Sequence, residues 1–279
     1  MKVDLHLHST ASDGTLTPGA LVRRAAEEGF TMLALTDHDT VTGIGEEQTA
    51  AREAGIRMIS GVELSCGAQK EIHILGYGID PQNEPLLAFS RHRREEREAR
   101  ARKMVERLAQ AGMTVSLSRV HELARGVVAR PHVARALVEA GYASSVSDAF
   151  DRFLVPGKCG YVPKEEVRVA QAVALIHGAG GVAVLAHPMQ LKLGDMALDA
   201  LVCEWKGQGL DGLEVYHPSA QNNHAAMLLR LARREGMLVT GGSDFHGEAV
   251  RESRIGEGVE RWTDAESDVA ALLARILKD

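Results

Sequence analysis

Short apolar runs recur along the chain, and polar residues repeatedly stand at or beside their ends. In MKVDLHLH (1–8), Val3, Leu5 and Leu7 alternate with Asp4, His6 and His8, the period-two signature of a strand. Alternation sets His6 and His8 on one face, two residues apart, a spacing at which two imidazoles can grip one metal ion. Ser9 to Gly14 is turn chemistry and hangs Asp13 just beyond that strand. TMLALT (31–36) closes on Asp37-His38-Asp39, and Ile56 to Val62 closes on Glu63. EIHILGYGI (71–79) carries His73 near its start. GVAVLA (181–186) ends in His187-Pro188, GLEVY (212–216) is a further strand, and Met237 to Thr240 runs into Gly241-Gly242-Ser243-Asp244-Phe245-His246. Helical segments lie between them. Thr17-Pro18 reads as an N-cap and first helical residue, with Gly29 as the stop, and Thr263 with Glu266 reads as a capping box. Strand and helix thus alternate as in a parallel α/β barrel, whose active site gathers at the C-terminal strand ends. Seven barrel strands are expected.

From Pro85 to about Val162 that alternation stops. One long helix rich in Arg, Glu and Ala, including RHRREEREARARK (91–103), leads into shorter helical stretches. The expected division is therefore a barrel of residues 1–84 and 163–279, with 85–162 as a helical insertion or lid. The interleaved acidic residues make the Arg/Glu run a solvated helix face rather than a nucleic-acid surface.

Composition narrows the possibilities. At 279 residues, 45% hydrophobic and 25% charged, the chain can bury one barrel-sized core with an insert. A net charge of -6 and a pI near 6.1 argue against bulk binding to DNA or RNA backbone. Cys66, Cys159 and Cys203 have no paired spacing, so neither disulfides nor a thiolate zinc site is expected, which fits a reducing cytoplasm. No stretch reads as a signal peptide or a membrane span.

The strand-end residues are His6, His8, Asp13, His38, Glu63, His73, His187, Asp244 and His246: six of twelve histidines and three carboxylates. Buried histidines are normally isolated and hydrogen-bonded, and so many on one rim are costly without a metal. Nine ligands exceed one ion's needs, so two or three divalent ions are expected. Mixed imidazole and carboxylate without thiolate suits Mn first, with Zn or Fe as alternatives. The other histidines read otherwise: His217 and His224 follow a barrel strand and read as surface residues first, with substrate contact as the alternative. Arg130-Pro131-His132 opens a helix in the insert, where an arginine could clamp a second phosphate. Arg254, after the last strand, is a further candidate of that kind.

The series His6-Leu7-His8, Thr36-Asp37-His38, Glu63, His73, Ala186-His187-Pro188 and Ser243-Asp244-Phe245-His246 resembles the PHP (polymerase and histidinol phosphatase) family. The resemblance implies a distorted seven-stranded, TIM-like barrel and a metal-dependent phosphoesterase. It further implies that His6, His8, Glu63 and Asp244 hold one ion, that Glu63, His73 and His187 hold a second with Glu63 bridging, and that Asp13, His38 and His246 hold a third. Asp13 stands where some members carry histidine. The insert is similar to that of a subgroup acting on nucleoside 3′,5′-bisphosphates and on short RNA 5′ ends. The expected reaction is hydrolysis of a small nucleotide's phosphomonoester by a metal-bridging hydroxide held by Glu63, with His132 as a candidate general acid. A 5′-3′ exoribonuclease and a histidinol-phosphate phosphatase are the alternatives within the family. An amidohydrolase would need a bridging lysine that the fourth strand lacks, and an inactive metal-binding module would show missing ligands. No obligate protein partner and no membrane partner are expected.

Overall fold

The computed structural model describes residues 1–67, 71–124, 127–221, 223–248 and 253–277. Seven strands follow one another in chain order around one sheet: β1 (Val3–Leu7), β2 (Met32–Leu35), β3 (Arg57–Cys66), β4 (Ile72–Tyr77), β5 (Val182–Leu185), β6 (Gly212–Tyr216) and β7 (Leu238–Gly241). The sheet curls until its edges meet. Leu7 forms a parallel bridge to Phe245, and the Asp244 amide donates to the His6 carbonyl at 2.9 Å. The architecture is the distorted seven-stranded α/β barrel expected, with one reversal. Neighbours pair in parallel except at β4, which is antiparallel to both β3 and β5. That reversal brings the start of β4, and His73 with it, to the rim where the parallel strands end. β3 is also longer than its apolar run. Arg57–Ser60 pairs with β2 and Gly61–Cys66 with β4, so Glu63 stands inside the strand.

The helices are α1 (Pro18–Glu27), α2 (Ile44–Ala54), α3 (Glu84–Gln110), α4 (Leu117–Ala124), α5 (Arg130–Glu139), α6 (Val146–Ala149), α7 (Val169–Gly178), α8 (Asp195–Gly207), α9 (His224–Arg234) and α10 (Ala265–Ile276). α1 starts as its sequence dictates: the Thr17 hydroxyl accepts from the Ala20 amide at 3.3 Å, and Pro18 needs no amide partner there. Its Leu21, Val22 and Ala25 pack with Leu7, Leu33, Leu35 and Phe245. Leu7 thus faces the helices, and its alternates His6 and His8 face the other way. α10 begins behind Asp264 without a side-chain cap, so the capping box read from Thr263 and Glu266 does not form.

The chain divides into two compact units, Met1–Ala88 with Val167–Asp279, and Phe89–Glu166. The second lies slightly downstream of the 85–162 read from the sequence. It has its own apolar core, built on Ala101, Met104, Leu108, Val120, Val133, Leu137 and Leu154. No helix among the described residues is long and apolar enough to cross a membrane.

Candidate metal centre

All nine strand-end residues come together at one rim of the barrel unit. Local chemistry holds each loop in place. The Asp37 carboxylate accepts from the Ser9 amide (2.8 Å), the Ser9 hydroxyl (2.7 Å) and the Ser12 hydroxyl (2.6 Å), which ties the turn carrying Asp13 to the end of β2. Asp39, in the left-handed region at φ 53°, accepts from the Ser65 amide and seats His38 against Glu63, to which it forms a parallel bridge. The Asp4 carboxylate does the same for the last loop, accepting from the Ser243 amide and hydroxyl and from the Gly256 amide. Burial outweighs those bonds and pushes the Asp4 carboxyl up to about 6. Gly242 is required where β7 leaves against β1, because a Cβ there would lie 2.1 Å from His6 Cβ. His187 and Asp244 are non-glycine residues at φ 30° and 53°, a strained backbone of the kind that accumulates at functional sites.

Glu63 is fully buried at the centre. Its Oε2 lies 3.4 Å from His6 Nε2, 3.2 Å from His8 Nε2 and 2.9 Å from His38 Nδ1. Its Oε1 lies 2.9 Å from His73 Nδ1 and 3.1 Å from His187 Nε2. Asp244 Oδ1 sits 3.5 Å from His6 Nε2 and 3.3 Å from His8 Nε2. Asp13 stands 3.3 Å from His246 Nε2 and 3.9 Å from His38 Nε2. Three overlapping sets have ligand atoms within 4.8 Å of one another: His6, His8, Glu63 and Asp244; His38, Glu63 and His73; and His8, Asp13, His38 and His246. His187 attaches to the second through Glu63 and through His73, whose Nδ1 is 3.3 Å from His187 Nε2. His8 therefore joins the third set beside the three residues expected there.

The donor atoms fit bound cations. His6 Nε2 and His8 Nε2 lie 3.1 Å apart, so that without a cation between them one ring must carry a proton toward the other. His8 Nδ1 and Glu63 Oε2 are buried without a hydrogen-bond partner. Electrostatics agree. Burial alone would raise the Glu63 carboxyl, but His38, His73 and His6 hold it well below the usual carboxylate range. Burial likewise opposes ionisation of Asp244 and Asp13, and the surrounding histidines hold both well down. Burial pulls the His6 ring down, yet Glu214, Glu63 and Asp244 lift it well above its ordinary value. His187 is lowered by burial.

Two residues of the site escape a reading of strand ends. Glu214, fully buried in β6, accepts from His6 Nδ1 at 2.9 Å and from the His187 amide at 2.6 Å. It thereby turns the His6 Nε2 toward the cluster, as outer carboxylates do for metal-binding imidazoles. His217, expected on the surface, is 3% exposed, with its Nε2 3.7 Å from Asp244 Oδ2.

The candidates for substrate contact fare differently. Arg254 does not join the cluster. It is paired with Glu260 and lines a surface cavity with Met1, Lys2 and Phe30, beside the start of β1 rather than its end. Arg130 and His132 belong to the second unit. Arg130 opens α5 with its guanidinium 5.7 Å from the centre of the Phe150 ring. His132 is buried, and its Nδ1 accepts from the Ala129 amide at 3.0 Å, closing the first turn of α5. A protonated ring would lose that bond, so helix capping and the general-acid role expected of His132 compete for the same nitrogen.

Barrel and imidazole–carboxylate cluster together define a metal-dependent phosphoesterase, and known proteins agree. Residues 4–154 match the model of the PHP domain. The chain is 39% identical over 246 residues to a 5′-3′ exoribonuclease of Haemophilus influenzae, covering 88% of this chain and 90% of that protein. It is 37% identical over 255 residues to a 3′,5′-nucleoside bisphosphate phosphatase of Chromobacterium violaceum, covering 90% of this chain. A solved structure from Bifidobacterium adolescentis, described as a metal-dependent phosphoesterase, superposes with a TM-score of 0.82 at 35% identity over 98% of this chain and 96% of that one. The chain belongs to the PHP family.

Proposed function

We propose that this protein is a phosphomonoesterase of nucleoside 3′,5′-bisphosphates working with two or three divalent ions, Mn first among them. The observation that carries the multi-ion reading is the division of Glu63, one carboxylate oxygen facing His6, His8 and His38 and the other facing His73 and His187. His6, His8, Glu63 and Asp244 would hold one ion; Glu63, His73 and His187 a second; and Asp13, His38 and His246, with His8 beside them, a third. Ions held there would supply positive charge to the phosphoryl oxygens and lower the pKa of a bound water. The chain's own part is placement. Glu214 fixes the His6 ring and the His187 backbone, Asp4 and Asp37 anchor the two loops that carry ligands, and the cluster is closed to bulk water at Glu63.

The substrate follows from similarity to the Chromobacterium violaceum phosphatase, and Arg130 is assigned to the second phosphate on the sequence argument. The second reading, 5′-3′ hydrolysis of short RNA, rests on the 39% identity to the Haemophilus influenzae enzyme. A cytoplasmic setting accords with three unpaired cysteines, and the lack of a bulk nucleic-acid partner accords with the acidic charge. A phosphate-release assay with added Mn compares adenosine 3′,5′-bisphosphate, AMP, histidinol phosphate and a short 5′-phosphorylated RNA. The bisphosphate should give the highest kcat/KM. Faster turnover of RNA would establish the second reading instead, and no release from any substrate would refute both.

A further inference from the structure

His217 is buried beside the cluster, yet it belongs to none of the sets of atoms able to hold an ion together. Its ring is held from behind. Nδ1 accepts from the Ser219 amide at 3.0 Å and is 2.8 Å from the Ser219 hydroxyl. A backbone amide can only donate, so the Nδ1 lone pair is taken and the proton of the neutral ring resides on Nε2. An N–H cannot ligate a cation. The seat is rigid as well: the Ala220 amide closes a turn on the His217 carbonyl, Pro218 follows, and Gly258 backs the bend where a Cβ would come within 2.6 Å of Pro218 N.

The Nε2–H faces the cluster, with the ring centre 5.5 Å from that of His187 and 6.3 Å from that of His6. Its nearest charged atom, Asp244 Oδ2, is 3.7 Å away, beyond hydrogen-bond length, and Nε2 has no partner among the described residues. A buried donor so oriented, 3.7 Å from the nearest carboxylate oxygen, is placed to meet an acceptor that arrives from outside. We propose that His217 is a phosphate-binding residue whose Nε2–H donates to a non-bridging oxygen of the substrate's phosphoryl group. This deepens the phosphomonoesterase reading and rests on it. Since the proton stays on the ring, the contact stabilises charge on the phosphoryl oxygen and transfers nothing.

The test uses Mn-loaded protein with orthophosphate as the probe, bound in a calorimeter, and with metal content measured on the same samples. His217→Ala should keep its ions and bind orthophosphate about ten- to a hundred-fold more weakly, the range for a hydrogen bond to a charged group. His217→Gln, whose amide N–H can reach the Nε2 position, should recover much of that affinity. His217→Phe keeps the ring volume without the donor, so it decides the matter if the alanine variant does not fold. Loss of an ion in a folded variant would overturn the proposal, because it would make the ring a support for Asp244. Unchanged phosphate affinity in the metal-replete Ala or Phe variant would overturn it too. Failure of the unaltered protein to bind ions or orthophosphate would refute the metal-site reading, separately from His217.

Discussion

At the scale of single residues, Glu63 concentrates the most consequence. An acceptor-only carboxylate with no exposed surface is tolerable only if its charge is met, and five imidazoles lie within 3.4 Å of it. Glu63→Gln removes the charge and replaces one oxygen by an N–H₂ that would face lone pairs. Mn affinity should fall at two positions together, each by more than the ten- to hundred-fold that loss of an outer-shell partner typically brings. Elemental analysis after Mn reconstitution reads this directly; loss of one ion alone would show that the carboxylate does not bridge. The nine residues were legible because each stands at or beside one end of an apolar run in the sequence. Glu214 and His217 were not. GLEVY reads as any strand with one polar position, and only burial of both faces marks its glutamate as a charge that must have partners. His217 looked like the first residue of a surface loop, and nothing local to His-Pro-Ser reveals that the loop folds inward.

At the scale of elements, start signals were readable and directions were not. Thr17-Pro18 caps α1 as its chemistry requires. Period-two alternation has no polarity, so the antiparallel course of β4 was invisible, and His73 looked misplaced near a strand start. The capping box at the last helix failed because Asp264, not Thr263, became the residue preceding the first turn. The insert carries the prediction proper to this scale. Arg130 stands at the head of α5 in a unit with its own core, so replacing it should leave the metal-binding barrel intact. Arg130→Ala should lower kcat/KM for a nucleoside 3′,5′-bisphosphate about ten- to a hundred-fold while an aryl phosphate is little affected. Equal losses on both substrates would assign Arg130 to the reacting phosphate or to the fold.

At the scale of the whole molecule, ligand and fold are thermodynamically linked. The cluster draws on six of the seven strands or the loops that follow them, so it exists only in the folded barrel. Ions that bind only there stabilise by mass action, about 2.7 kcal/mol at a free concentration a hundred times Kd. For a chain of this size that corresponds to a rise in Tm on the order of 5–10 °C. Mn should produce such a rise in calorimetry and EDTA should reverse it; identical transitions would mean that the cluster binds no ion of consequence. Barrel closure adds a constraint of timing. His6 and His246 lie 240 residues apart in the sequence, and both flank the seam where Leu7 meets Phe245. At translation rates of about 5–20 residues per second, roughly 10–50 s separate the two. Until then β1 has an open edge and half a chelate, able to pair with any passing strand or to bind an ion in the wrong company. Correct metallation must therefore wait until β7 and the ligands that follow it have been made and have closed on β1.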